Sequence, residues 1–316
     1  MPLPRVHLSM AGGAGGVVAM GLGIWTLWRA RLPRGRPLPL GRQLLIGHRG
    51  CRHGQPIGEG PPPENTLEAF EYSLAKGAHG FELDTRLTKD GVPVVFHDAR
   101  IGRCLLHGDG PDVLVSELNL AELQKLPFRQ AQSVRVPTLD EAVSLARQKG
   151  VKVLIETKDV HRPGELAACV VDLIRKHNMV EEALVISFDP RSLYHIRRLD
   201  PDVRTCLLWV PGLVCGWTSR GTEVLSLPWR LLAPLIDAAL VIGAHPAALP
   251  SFLGASAIGP SSAFRRTYLA AAYKRGMATY LWVVNDPETR LDVEGLSEQG
   301  LFAYSTDYLW PTAGGC

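Results

Sequence analysis

His48-Arg49-Gly50, Glu64-Asn65-Thr66, Glu82-Leu83-Asp84, His97-Asp98 and Glu156-Thr157-Lys158 supply the residue types that phosphorus chemistry needs. Histidine moves protons near neutral pH. Arginine grips a phosphate with two parallel hydrogen bonds, and lysine sets a point charge on one of its oxygens. Glu82 and Asp84 stand two residues apart, so on a strand they share one face. Carboxylates on one face of an apolar strand need a cation or a strong donor between them. Glu156, ending another apolar run, completes a set of three. Oxygen donors of this kind suit Mg2+ or Ca2+, whereas zinc wants more histidine or cysteine. The competing reading is a buried ion pair with Arg49, Arg86 or Lys158. A lone histidine at a strand end is more often structural, but His48 and His97 beside the same carboxylates read as a general acid and base. Glu64 is set to reach the cation or a substrate hydroxyl, or only to open a helix capped by Asn65. Trp282 and Asn285, after a late strand, offer an apolar wall and a polar contact; core packing explains Trp282 equally well.

These residues need strands to carry them. Apolar, β-rich runs at 44–48, 81–87, 93–97, 151–156, 183–188, 203–209, 255–258, 278–284 and 302–305 alternate with helical patterns. The helices are expected at 65–76, 139–149, 166–177, 191–199, 261–275 and 288–299. Near-continuous apolar strands alternating with helices mean parallel strands covered on the outside. About eight such units over one domain suit an α/β fold of the (β/α)8 TIM-barrel type, with the chemistry at the carboxyl ends of the strands. An open doubly wound sheet is the runner-up, but no glycine-rich nucleotide fingerprint supports it.

One connection breaks the rhythm. Thr88-Lys89-Asp90-Gly91 is too short for a parallel crossover, and Asp90-Gly91 is a hairpin signal. An antiparallel pair centred on Asp90 sets Asp84 across from Phe96 and Glu82 across from Asp98. That register alone makes the carboxylates neighbours of His97. Residues 98–137 then read as an insertion with a small helix at 121–126, and the Trp- and Pro-rich stretch 211–250 as a second, apolar one.

The chain has 316 residues, 46% of them hydrophobic, enough for one large domain with a buried core. A net charge of +3 and no basic stripe interleaved with aromatics argue against nucleic acid. Six cysteines without CxxC or regular spacing read as free or buried thiols. After a tail at 1–9, residues 10–28 carry no formal charge, and Trp25 and Trp28 fall where an interfacial belt would lie. That length is just enough to span a bilayer, so a single-pass membrane anchor is expected, followed by a linker at 29–42 and a domain at 43–316. The arginines after the span put the domain on the cytoplasmic side by the positive-inside rule.

The order HRG, ENT, ELD, VVFHD, PTLDEA, IETK, LWVVN and STD resembles the glycerophosphodiester phosphodiesterase family over residues 44–308. The resemblance implies a (β/α)8 barrel, one divalent cation, and hydrolysis of glycerophosphodiesters to glycerol 3-phosphate and an alcohol. It implies Glu82, Asp84 and Glu156 as metal ligands, His48 and His97 as the catalytic pair, and Arg49 and Lys158 at the phosphate. It also matches residues 98–137 to the family's insertion. The apolar features look most like the membrane-associated animal branch, which includes a glycerophosphoinositol phosphodiesterase and implies a luminal or exterior domain. WVVN in place of WTVN, STDY in place of TDxP and the long 51–63 connection bear on substrate preference. Two alternatives stand beside hydrolysis of a glycerophosphodiester such as glycerophosphoinositol. One is lysophospholipase D action on lysophospholipids; the other is an inactive barrel kept for binding a partner at the membrane.

Overall fold

Eight parallel strands close on themselves in the computed structural model, which describes residues 35–39, 43–51, 62–106, 112–210, 250–251 and 253–309. They are β1 (Leu44–Gly47), β2 (Gly80–Leu87), β4 (Lys152–Thr157), β5 (Ala183–Ser187), β6 (Arg204–Trp209), β7 (Ala257–Pro260), β8 (Ala278–Leu281) and β9 (Leu301–Thr306). Each pairs with the next, and β1 closes the ring by pairing with both β2 and β9. Every residue of β5, β6 and β9 is buried, as strands covered on both faces require. The fold is the (β/α)8 barrel expected from the alternation.

Alternation of side chains along the strands builds two cores. Phe81, Leu83, Val153, Ile155 and Val185 point outward against the helices. Leu154, Leu184, Ile186, Cys206, Leu208 and Tyr280 fill the barrel interior. Among the helices, α1 (Leu67–Ala75), α3 (Leu139–Lys149) and α4 (Pro163–Lys176) bring Phe70, Val143 and Val170 to the outer core. Phe70 stacks on Phe81 with ring centroids 4.2 Å apart.

Helix α3 coincides with its expected bounds because both ends are chemically marked. Thr138 accepts from the Glu141 amide, the Glu141 carboxylate accepts from the Thr138 amide at 2.9 Å, and Gly150 leaves the helix at φ 64°. Thr138→Ala is expected to lower unfolding free energy by about 1 kcal/mol, measurable as a lower urea midpoint. Helix α1 starts later than expected: the cap is Thr66, which accepts from the Ala69 amide, while Asn65 adopts φ 61°. Asn65 is diverted to a different task, described below.

The hairpin takes the expected register. Strand β3 (Pro93–Val95) runs antiparallel to β2, with Thr85 opposite Val95 and Leu87 opposite Pro93. The Phe96 amide donates to the Asp84 carbonyl at 2.9 Å. The ladder stops there, so Glu82 does not face Asp98; it faces β1 and β4 instead. Beyond β3 the insertion buries Ile101, Leu105, Val115, Leu123, Phe128 and Val136 in a small core of its own, with the short helix α2 (Leu120–Leu123) inside it.

Described residues before Gln43 touch the barrel. Leu38 is buried, and Arg204 Nε donates to the Pro37 carbonyl at 3.2 Å.

The expected membrane anchor requires correction. Among the described residues no helix is long and apolar enough to cross a membrane. Helix α4 has 14 residues, so at about 1.5 Å per residue it falls well short of a bilayer's ~30 Å. The segment 10–28, with six glycines that weaken both helix and apolar transfer, lies outside the described residues, as does 211–249 of the apolar insertion.

Candidate active site

Strand register sets the carboxylates together. Glu82 pairs with Leu154 and Asp84 with Glu156, so all three acids take the parity of the interior-facing Leu154. Glu82 and Asp84 fall mid-strand only because β2 runs on past the rim to form the hairpin; Glu156 is next to last in β4. One ligand oxygen from each of the three lies within 4.8 Å of the others. All three are buried, Glu82 and Asp84 at 1% exposure. Burial first, and then the Asp84 charge, push Glu82 up to about 8.

Two basic groups share the cluster. Lys158 Nζ lies 2.6 Å from Glu156 and 3.2 Å from Asp84 Oδ1, the latter an ion pair without hydrogen-bond alignment. Arg49 Nε lies 3.2 Å from Asp84 Oδ2, likewise unaligned. Burial works against the Asp84 carboxylate, but Lys158, His97 and Arg49, with a hydrogen bond from Asn65, hold it well below the usual range. The ion pairs of Lys158 and Arg49 within this trio go to Asp84 and Glu156, and none of them to Glu82. Glu82 Oε1 is buried with no hydrogen-bond partner among the described residues. The competing ion-pair reading therefore covers Asp84 and Glu156 but leaves Glu82 with an orphaned oxygen. An all-oxygen set with an orphaned buried carboxylate atom fits a hard divalent cation.

The His-Arg-Gly turn aims its backbone at the same place. Arg49, Gly50 and Cys51 all take positive φ (53°, 77° and 87°), and a Cβ on Gly50 would meet Ala69 and Phe70 at 2.7–2.8 Å. This sharp turn lets the Arg49 amide donate to Glu82 Oε2 at 3.0 Å while its guanidinium reaches Glu64 at 3.1 Å.

The two histidines flank the carboxylates under different influences. His48 Nε2 is 3.9 Å from Glu82, and its Nδ1 is 2.6 Å from Asp307. Burial depresses His48, yet the Asp307 hydrogen bond and the Glu82 charge outweigh it and hold the imidazole above its ordinary value. His97 Nδ1 bonds Asp98 at 2.6 Å, but burial wins and holds it below. The two imidazoles are thus shifted in opposite directions.

Other expected site residues are committed to neighbours. Glu64 joins Arg49 to Arg103. Trp282 Nε1 donates to the Gly259 carbonyl, and its ring meets Phe188 edge to face at 5.1 Å. Lys158 Nζ lies 5.9 Å from the Phe188 ring, so this aromatic pair borders the lysine. Asn285 donates to Asp307 Oδ2 at 2.7 Å and accepts from the Asp307 amide at 2.8 Å.

Four residues take tasks in the site that their types and spacing did not assign to them. Asn65 clamps Asp84 from both ends: its Nδ2 donates to Oδ2 at 2.9 Å, and its Oδ1 accepts from the Asp84 amide at 3.1 Å. Asp307 orients His48. Asp98 orients His97. Arg86 donates to the carbonyls of His97 and Lys158 at 2.8 and 3.1 Å. The signals for the first three were present as the motifs ENT, STD and HD. Nothing in the sequence marks the task of Arg86.

The sequence model of the glycerophosphoryl diester phosphodiesterase family matches residues 48–309. A glycerophosphodiester phosphodiesterase of Caldanaerobacter subterraneus subsp. tengcongensis is 34% identical over 183 residues, covering 56% of this chain and 70% of that protein. Glycerophosphodiester phosphodiesterase 1 of Mus musculus is 31% identical over 199 residues, covering 61% of this chain and 56% of its own length. In fold, the chain is similar to a phosphodiesterase of Oleispira antarctica whose structure holds the product sn-glycerol-3-phosphate. That likeness has a TM-score of 0.62 at 24% identity, over 85% of this chain and 93% of the other.

Proposed function

We propose a substrate and a mechanism on one premise: this chain belongs to the glycerophosphoryl diester phosphodiesterase family and is a phosphoric diester hydrolase. Its substrates are soluble glycerophosphodiesters such as glycerophosphoinositol, cleaved to glycerol 3-phosphate and the free alcohol. The observation that carries this reading is the buried trio Glu82, Asp84 and Glu156, with an unpartnered oxygen on Glu82 and a histidine on either side. The product held by the Oleispira phosphodiesterase is of the same class.

Glu82, Asp84 and Glu156 hold the cation, Mg2+ or Ca2+, which when bound lends positive charge to the phosphoryl oxygens. Arg49 and Lys158 take the remaining oxygens and stabilise the charge that builds in the transition state. His97, which burial holds below its ordinary value, removes the proton from the attacking hydroxyl. His48, which its Asp307 hydrogen bond holds above its ordinary value, gives its proton to the departing alkoxide. The attacking hydroxyl is the glycerol 2-hydroxyl, forming a cyclic phosphate that water then opens. Asp307 and Asp98 fix the two imidazoles, and Asn285 fixes Asp307. Phe188 and Trp282 border the apolar side of the phosphate seat. A non-catalytic, partner-binding barrel is the weaker reading, since both histidines, the three acids and the two basic residues converge on one mouth.

The test is a panel with the full chain: glycerophosphoinositol, its 2-deoxyglycerol analogue and lysophosphatidylcholine. Glycerophosphoinositol should turn over at least ~10-fold faster than the lysolipid, and the deoxy analogue should be inert. Equal or faster hydrolysis of the lysolipid would transfer the assignment to a lysophospholipase D. Unimpaired hydrolysis of the analogue would replace the cyclic route with direct attack by water.

A further inference from the structure

We propose that Arg103, carried by the insertion, is a positioning residue that locks the phosphate arginine Arg49 and the base His97 through a single guanidinium. Its Nη1 and Nη2 fork onto both oxygens of Glu64 at 3.2 and 2.5 Å, and its Nε donates to Asp98 Oδ2 at 2.5 Å. Glu64 Oε1 also accepts from Arg49 Nη1 at 3.1 Å, and Asp98 Oδ1 bonds His97 Nδ1 at 2.6 Å. One cation thus stands behind two carboxylates, each holding one functional side chain. Arg49 follows β1 and His97 follows β3, so no strand pairing ties these two side chains to each other. Each of the three guanidinium nitrogens donates to Glu64 or Asp98, so Arg103 is placed to act through these two carboxylates.

The turn that bears Arg103 is built to hold still. Ile101 and Leu105 on either side are fully buried in the insertion's core. The Ile101 amide donates to the Val113 carbonyl at 3.1 Å, and Gly102 donates to Asp112 Oδ1 at 2.7 Å. Arg129 donates twice to this turn, from its amide to the Cys104 carbonyl and from Nε to the Gly102 carbonyl. The side chain itself stays 41% exposed, so apolar packing does not explain its placement. Without the fork, Glu64 pulls harder on Arg49 and draws it from the phosphate. Asp98 loses the bond that stops it rotating and carrying His97 with it. The insertion thereby contributes to the chemistry without touching the reacting atoms.

This inference rests on the proposed roles of Arg49 and His97, and its test separates the two. With the full chain and glycerophosphoinositol, Arg103→Met should lower kcat about 10- to 100-fold, with KM within ~3-fold. Arg103→Lys, which restores the charge without the fork, should recover part of that loss. In an E64Q/D98N background, Arg103→Met should change kcat by less than ~3-fold, because the groups it acts through are gone. A second readout needs no turnover: the His97 imidazole resonances of 15N-histidine-labelled protein should shift in Arg103→Met. Wild-type kcat in Arg103→Met, a loss confined to KM, an equal loss in the double-mutant background, or an unmoved His97 signal would each overturn the inference. A shifted His97 in an enzyme inert toward every glycerophosphodiester would uphold Arg103 and overturn the substrate reading instead.

Discussion

Replacing Glu82 and Asp84 together with alanine is expected to lower glycerophosphodiester turnover by about 10⁴-fold or more. The size follows from the charge removed. A cation on a phosphoryl oxygen contributes several kcal/mol of transition-state stabilisation, and about 1.4 kcal/mol is tenfold in rate. With only Glu156 left, itself paired to Lys158, no ion would be held. Steady-state kinetics under saturating Mg2+ and Ca2+ provide the check, and turnover within ~10-fold of wild type would remove the cation from the mechanism. Stability should move the other way. In chelator, Glu82 is pushed up to about 8 from an ordinary 4.5, first by burial and next by Asp84. A folded pKa above the unfolded one means that ionised Glu82 opposes folding. The penalty is absent below about pH 4, grows as pH rises toward the folded value, and levels off above it. Glu82→Gln should therefore stabilise the metal-free protein by about 1–3 kcal/mol at neutral pH and by nothing at pH 4.

Removing either imidazole is the second large effect. His97→Ala and His48→Ala should each lower kcat by about 10²- to 10⁴-fold while leaving cation binding intact. The two should differ in what rescues them. A substrate with a good leaving group, such as a glycerol nitrophenyl phosphodiester, should restore much of the rate in His48→Ala, because its leaving oxygen needs no proton. It should do little for His97→Ala, which still lacks a base. Equal rescue of both variants would contradict this division of roles.

Much of this site was legible from residue order. The alternation of apolar runs and helical patterns dictated the barrel, and Asp90-Gly91 dictated the hairpin that carries His97 to the rim beside Asp84. Two-residue spacing placed Glu82 and Asp84 on one face, and burial shows that face to be the interior. What the sequence hid has a common physical origin. Asn65 and Thr66 are equally good caps by type. Only the tertiary position of Asp84 draws Asn65 into a left-handed conformation and leaves the cap to Thr66. Asn285 follows a barrel strand, as a substrate contact would, yet the end of β9 brings Asp307 within its reach and takes both ends of its amide. Arg86 shares the strand face of Glu82 and Asp84, but its partners are backbone carbonyls, which no residue pattern announces. The membrane anchor was an inference from length and missing charge, and no described helix supports it.

Hydrolysis is proposed to depend on a divalent cation held by Glu82, Asp84 and Glu156. The direct measurement is turnover of glycerophosphoinositol by the full chain before EDTA, after EDTA and after restoring Mg2+ or Ca2+. Loss to background in chelator is predicted, with recovery on restoring the ion in the wild type and none in the Glu82→Ala, Asp84→Ala double variant. Full turnover in EDTA, or recovery in the double variant, would contradict it.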